Sequence, residues 1–132
     1  MLTGLNHITL AVNDIDKSFD FYVKLLGMKA HAKWLKGAYL TLGDLWFCLN
    51  LDESNPSKDY THIAFSISKI AFANMKKNLI KHGIKEWKTN TSEGNSFYIL
   101  DPDGHKLEIH VGDLKSRLKS MKNENFQNLE FF

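Results

Sequence analysis

The sequence predicts an α+β fold made of two copies of one βαβββ module, in which a strand and a helix are followed by three short strands. The first observation is a weak internal repeat, because residues 6–12 (Asn-His-Ile-Thr-Leu-Ala-Val) resemble residues 61–67 (Thr-His-Ile-Ala-Phe-Ser-Ile). The second is that both segments alternate apolar and polar side chains with the two-residue period of a strand. The third is that a segment with helical periodicity follows each of them. A repeat of this size indicates two modules packed by pseudo-symmetry.

Each repeated strand is followed by a predicted helix with recognisable ends. Asp14 is the expected N-cap of the first helix, and Gly27 suits its C-terminal stop. Ser68 and Gly83 take the same places in the second helix. The apolar stripes that would face the sheets are Ile15, Phe19, Tyr22 and Leu26, then Phe72, Met75, Leu79 and Ile80.

Three further strands complete each module. They are predicted at about 29–35, 38–42 and 45–51 in the first module, and at about 85–88, 96–100 and 105–110 in the second. We therefore expect a single domain over residues 1–132, with modules at about 1–52 and 60–112. A polar, proline-containing linker joins them, and a C-terminal helix and tail follow. Mixed sheets of this kind curl and can enclose a cleft between their concave faces.

The composition limits the class of protein. Hydrophobic residues make up 43% and charged residues 24%, which is typical of a globular chain. The net charge of +2 is too small for a nucleic-acid footprint, and no apolar run approaches the roughly 18 residues that span a bilayer. The single cysteine, Cys48, excludes an internal disulfide and fits a reducing compartment. Since the N-terminus also lacks signal-peptide features, the sequence predicts a soluble, cytoplasmic protein that binds neither nucleic acid nor membranes.

Two histidines and one glutamate are the candidate metal ligands. His7 and His62 take equivalent places in the repeat, on the strand face opposite the apolar side chains. Glu108 lies in the middle of a short predicted strand, where a solvated glutamate is disfavoured. Two imidazoles and one carboxylate leave coordination positions open, as in catalytic sites, and suit Mn²⁺, Fe²⁺ or Zn²⁺.

The remaining histidines and one turn have simpler interpretations. His110 competes with Glu108 as a ligand, but it lies two residues further along and has no partner in the repeat. His31, His82 and His105 are interpreted as surface or turn residues. The segment Asp101-Pro-Asp-Gly-His105 is interpreted as a hairpin turn between two strands.

These features together resemble the vicinal oxygen chelate superfamily, also called the glyoxalase, bleomycin resistance and dioxygenase superfamily. Within it, about residues 1–120 are similar to the FosA-type fosfomycin-resistance glutathione transferases. The likeness is carried by Gly4-Leu-Asn-His-Ile-Thr-Leu-Ala-Val12, Gly43-Asp-Leu-Trp-Phe-Cys-Leu49, Asp59-Tyr-Thr-His62, Ser92-Glu-Gly-Asn-Ser-Phe-Tyr98 and Asp101-Pro-Asp-Gly-His-Lys-Leu-Glu108.

The resemblance implies a homodimer with shared active-site clefts that conjugates glutathione to the epoxide of fosfomycin and confers antibiotic resistance. It implies that His7 of one subunit, with His62 and Glu108 of the other, holds Mn²⁺, with Zn²⁺ or another divalent metal as the alternative. Thr9 corresponds to the hydroxyl beside the oxirane oxygen. The corresponding substrate-binding positions are Tyr39, Trp46, Tyr60, Lys88, Ser92, Tyr98 and Arg117. A K⁺-binding loop corresponds to Asn90, Ser92, Gly94 and Ser96.

The residue types suit this chemistry. A phosphonate dianion needs cations and hydroxyl donors, and a metal at the oxirane oxygen stabilises the alkoxide that forms as the ring opens. Thr9 shares a strand face with His7, so it can hydrogen-bond that oxygen or pass it a proton. Because glutathione supplies the thiolate, Cys48 is interpreted as a small packed side chain.

Other functions remain open at this stage. An epoxide hydrolase of this superfamily would place a glutamate ahead of the Leu-Trp strand, but residues 33–43 contain no carboxylate and Asp44 is expected in a turn. Relatives that use bacillithiol tend to carry cysteine at the position of Thr9. A glyoxalase would place a fourth ligand where Trp46 stands. A drug-sequestering protein would lack the metal ligands, so metal content separates it from the enzymes.

Overall fold

The computed structural model describes all residues from Met1 to Phe132 and contains two four-stranded mixed sheets. The first module contains β1 (His7–Val12), α1 (Ile15–Asp20), β2 (Lys29–Trp34), β3 (Gly37–Leu42) and β4 (Leu45–Leu51). The second contains β5 (Ile63–Ser66), α2 (Lys69–Lys81), β6 (Glu86–Lys88), β7 (Ser96–Leu100) and β8 (Lys106–His110). The chain then forms α3 (Leu114–Met121). All three helices are too short and too polar to span a bilayer.

The two sheets have the same topology. Their strand orders are β1-β4-β3-β2 and β5-β8-β7-β6. In each sheet the first strand runs parallel to the last, because the helix returns the chain before the three antiparallel strands form. The register sets His7 beside Trp46 in the first sheet and Ala64 beside Glu108 in the second. The predicted pair of βαβββ modules with mixed sheets is confirmed.

The first helix differs from the plain α-helix that the sequence predicts. Asp14 caps it as expected, since its carboxylate accepts from the Lys17 amide at 3.0 Å. After Asp20 the chain widens into one π-helical turn over Phe21–Leu25, in which the Leu26 amide donates to the Phe21 carbonyl at 3.0 Å. The extra residue in this turn places Phe21 beside Tyr22 in the core, whereas Phe19 is only half-buried.

One hydrophobic core spans both modules. Phe47 of β4 and Phe65 of β5 contact each other with ring centroids 6.1 Å apart. Cys48 is a buried free thiol, which confirms its interpretation as a packed side chain. β5 is shorter than predicted and begins at Ile63, so His62 lies in the loop that enters the strand.

The Asp101–His105 turn does more than join two strands, because it also fastens the second module to the first. The Tyr22 hydroxyl donates to Asp101 Oδ2 at 2.7 Å, and the backbone amide of Asn13 donates to Asp103 Oδ1 at 2.8 Å. His105 Nε2 lies 2.7 Å from the Ala11 carbonyl. The interpretation of His105 as a surface or turn residue is therefore incomplete, and the turn is part of the junction between modules.

Candidate active site

The predicted metal ligands lie in the two different modules. His62, in the loop that enters β5, meets Glu108 of β8, and His62 Nε2 lies 3.0 Å from Glu108 Oε2. His7 begins β1 in the first sheet and is exposed, with Nδ1 2.7 Å from Asn6 Oδ1. One chain therefore brings together two of the three residues. Within it, no group of three or more His, Cys, Asp or Glu side chains is placed to hold a metal ion.

The His62–Glu108 pair has atoms suited to coordinating a cation. His62 Nδ1 lies 2.8 Å from the Tyr60 carbonyl, which only accepts, so Nδ1 carries a hydrogen. In the neutral ring, Nε2 is then an acceptor that faces a second acceptor, the largely buried carboxylate of Glu108. Two acceptors at this distance need a proton or a cation between them. The His62 nitrogen and the Glu108 oxygen are atoms that can coordinate a divalent metal. The Tyr60 carbonyl orients the imidazole in the way that outer-shell partners orient metal-bound histidines.

The second oxygen of Glu108 belongs to a polar chain. Ser96 Oγ is buried and lies 2.6 Å from Glu108 Oε1. The same hydroxyl lies 2.6 Å from His110 Nδ1. His110, weighed in the sequence as a rival ligand, therefore contacts Glu108 through Ser96, and its Nδ1 also lies 3.5 Å from Glu108 Oε1.

A lysine surrounded by aromatic rings lies on the same sheet. Lys88 Nζ donates to the Tyr60 hydroxyl at 2.6 Å, and it lies 4.6 Å from the centre of the Tyr60 ring and 4.9 Å from that of Tyr98. The hydrogen bond to Tyr60 is the main reason that the pKa of Lys88 is raised. This ammonium therefore carries its positive charge at neutral pH, as an anion-binding group must.

Trp87 lines the same site, although the sequence did not identify it as a candidate. Its indole Nε1 donates to the Leu107 carbonyl at 3.0 Å. The centre of its ring lies 5.2 Å from that of Tyr98 and 5.6 Å from that of His62. Trp87 thus packs against His62, one of the candidate metal ligands. A tryptophan beside a lysine in a three-residue strand carries no sequence signal of such a role.

The loop between β6 and β7 closes on the side chain of Asn90. Asn90 Oδ1 accepts from the amide and the hydroxyl of Ser92, both at 3.0 Å, and Asn90 Nδ2 donates to the Gly94 carbonyl at 2.9 Å. The polar atoms that gather here are mostly oxygens, which suits K⁺ by type of donor. Arg117 of α3 reaches this loop, with Nε 3.8 Å from Glu93 Oε1, a partner that the sequence analysis missed.

The candidate residues of the first module share one face of their sheet. Thr9 is exposed on β1, two residues from His7. Trp46 packs against His7 at 4.7 Å and against Tyr39 at 5.3 Å between ring centres. Trp46 remains 38% exposed, so it belongs to this face and not to the core. No hydrogen bond or ring contact joins this group to the His62 group within one chain.

The fold can be compared with those of known protein families. Residues 4–109 match the family model of the Glyoxalase/Bleomycin resistance protein/Dioxygenase superfamily. The chain belongs to this superfamily.

Individual relatives show which members of the superfamily the chain resembles. The chain is 48% identical to glutathione transferase FosA of Serratia marcescens, over 99% of this chain and 96% of that protein. It is 36% identical to metallothiol transferase FosB of Lysinibacillus sphaericus, over 98% and 96%. A solved structure of the fosfomycin resistance protein FosX from Listeria monocytogenes, complexed with Mn(II) and sulfate ion, matches with a TM-score of 0.81 and 31% identity, over 92% of this chain and 99% of that one. The resemblance to FosA-type proteins is confirmed.

Proposed function

We propose that this chain conjugates the thiol of glutathione to the epoxide of fosfomycin, and so inactivates the antibiotic. The observation that carries the proposal is the His62–Glu108 contact, whose nitrogen and oxygen atoms suit a cation, together with the Lys88 ammonium on the same sheet as Glu108. A metal-held epoxide oxygen and a bound phosphonate need these two features side by side. The 48% identity to a glutathione transferase supports this choice of thiol.

The proposed enzyme is a homodimer in which each cleft takes residues from both subunits. His7 of one subunit would join His62 and Glu108 of the other to hold Mn²⁺, with Zn²⁺ or another divalent ion as the alternative. When bound, the metal supplies Lewis-acid stabilisation of the oxirane oxygen. The exposure of His7, in a different module from the His62–Glu108 pair, supports a site completed by a second copy.

The other residues of the chain bind and orient the substrate. Lys88, Tyr98, Ser92 and Arg117 would hold the phosphonate through charge-assisted hydrogen bonds. Thr9 would hydrogen-bond the oxirane oxygen and supply a proton as the ring opens. The rings that would line the cleft and exclude water are Tyr39, Trp46 and Tyr60. The loop that contains Asn90, Ser92, Gly94 and Ser96 would bind K⁺ near the phosphonate.

The test is turnover of fosfomycin by protein loaded with Mn²⁺ in KCl, with and without glutathione, followed by phosphorus NMR. A glutathione adduct that needs both metal and thiol is the expected product. A diol formed without thiol would assign the chain to epoxide hydrolysis. Unchanged fosfomycin that stays bound would indicate sequestration. Replacing KCl by NaCl tests the K⁺ loop, and a lower rate is expected.

A further inference from the structure

We propose that His110 is a positioning residue that holds the Glu108 carboxylate in place through the Ser96 hydroxyl. The inference rests on the proposed function, because that function gives Glu108 the role of metal ligand. His110 Nδ1 lies 2.6 Å from Ser96 Oγ and 3.5 Å from Glu108 Oε1, so the hydroxyl stands between the two side chains.

The hydrogens on the Glu108 side can be assigned. A carboxylate only accepts and a serine hydroxyl has one hydrogen, so Ser96 Oγ donates to Glu108 Oε1. Ser96 must then accept from His110, which places a hydrogen on His110 Nδ1. The result is a directed chain from His110 through Ser96 to Glu108. It fixes one carboxylate oxygen and leaves the other facing His62.

The opposite edge of the ring faces an unsatisfied carboxylate oxygen. Glu93 Oε1 is buried without a hydrogen bond. Its two nearest cationic or imidazole partners are His110 Nε2 at 3.9 Å and Arg117 Nε at 3.8 Å. Because Nδ1 carries the hydrogen of the neutral ring, Nε2 is an acceptor and gives Glu93 no hydrogen bond. Arg117 is therefore the donor that faces Glu93, and the hydrogen bond of His110 goes to Ser96.

Two glycines make room for the imidazole. A Cβ on Gly94 would lie 3.3 Å from His110 Cε1, and one on Gly112 would lie 2.9 Å from His110 Nε2. Both glycines also have positive φ angles, 73° and 135°. A side chain at either position is therefore disfavoured both by this backbone conformation and by the contact with His110. The ring thus occupies a slot that the backbone shapes for it. One wall of this slot is the loop that contains Asn90 and Ser92.

Two substitutions test the hydrogen bond to Ser96. In His110→Asn the amide nitrogen is as many bonds from Cα as Nδ1, so it can donate to Ser96. In His110→Gln the amide nitrogen takes the place of Nε2, so the hydrogen bond to Ser96 is lost. We expect His110→Gln to weaken Mn²⁺ binding about 10–100-fold, as loss of an outer-shell partner does. We expect His110→Asn to keep Mn²⁺ affinity.

Mn²⁺ affinity is measured from the EPR signal of the free ion, without fosfomycin or glutathione, and KM and kcat are measured separately. The matched control is His82→Asn, because His82 is an exposed histidine at the end of α2. Equal losses in both His110 variants with a lower Tm would make His110 purely structural and overturn the proposal, as would normal values in both. Wild-type protein that binds Mn²⁺ but forms no adduct would contradict the proposed function alone.

Discussion

Asp59 and Asp101 lie on the loops that enter the candidate site and join the modules, and their surroundings shift their pKa values in opposite directions. Hydrogen bonds from Ser57 and Thr61 lower the pKa of Asp59 from 3.8 to about 2. Burial raises the pKa of Asp101 above 3.8, although the Tyr22 hydroxyl partly opposes this. Asp59 thereby orders the segment that carries Tyr60 and His62. Asp101 is instead removed from water and accepts a hydrogen bond from Tyr22 at the junction between the modules.

The two aspartates predict opposite pH effects on the free energy of unfolding. Between pH 2 and 3.8, Asp59 is protonated mainly in the unfolded chain, so its contribution is present above this window and is lost as the pH falls through it. Asp101 keeps its proton longer in the folded chain, so stability falls as the pH rises from 3.8 through its folded pKa. Asp59→Asn should therefore remove part of the acid destabilisation that wild-type protein shows.

Urea unfolding between pH 2 and 6 measures this effect. The difference in midpoint between wild type and Asp59→Asn should shrink toward pH 2. Asp101→Asn serves as the comparison of opposite sign, because it should abolish a loss of stability on the alkaline side of pH 3.8. Parallel pH profiles for wild type and Asp59→Asn would contradict the role given to Asp59.

At the level of elements, the aromatic face of the first sheet depends on close contact between β2 and β3. Gly37 of β3 pairs with Trp34 of β2, and a Cβ on Gly37 would lie 2.5 Å from Trp34 Cζ2 and 2.9 Å from the Leu49 carbonyl. The absence of that carbon lets Trp34 pack against Tyr39 at 4.9 Å between ring centres. β2 is an exposed edge strand, so little else holds this indole.

Gly37→Ala should displace Trp34 and destabilise the protein by about 1–3 kcal/mol, since the backbone oxygen of Leu49 cannot move away. Tryptophan fluorescence and near-UV circular dichroism report the displacement, and urea unfolding reports the stability. Gly4→Ala is the control, because a Cβ there meets nothing within 4 Å. An unchanged tryptophan signal with unchanged stability would show that the two strands separate more easily than this packing indicates.

At the level of the whole molecule, the distribution of the candidate metal ligands over the two modules makes the proposed subunit arrangement testable. If each cleft takes His7 from one subunit and the other ligands from its partner, His7→Ala and Glu108→Ala damage opposite sides of the cleft. A heterodimer of the two inactive variants then contains one intact cleft and one that lacks both side chains. Refolding an equal mixture should restore about one quarter of wild-type activity, because half of the dimers are mixed.

The control mixture is His62→Ala with Glu108→Ala. Both residues belong to the second module of one chain and contact each other there, so no combination of these subunits contains an intact cleft. Adduct formation is the readout, and native mass spectrometry verifies that mixed dimers form. Recovery in neither mixture, despite mixed dimers, would contradict a cleft shared between subunits.

Local pattern determined most of the fold. Alternation in residues 6–12 and 61–67, together with the caps Asp14 and Ser68, depends only on neighbouring residues, and both sheets and both main helices follow from it. The two-residue period predicts that His62 and Glu108 point away from the core, and the structure places them 3.0 Å apart although His62 lies in the loop before β5. The assignment of Mn²⁺, K⁺ and the phosphonate-binding residues came from family resemblance and stays a prediction.

Tertiary structure decided what depends on residues distant in the chain. Whether the helix after Asp20 widens into a π turn depends on how Phe21 and Tyr22 pack, and not on their periodicity. His105 reaches the Ala11 carbonyl only because the modules dock. His110 became a partner of Glu108, through Ser96, only when β7 paired with β8 and set Ser96 opposite His110. Local periodicity specifies which face a side chain takes, whereas its partners across sheets and loops are set by packing of the whole chain.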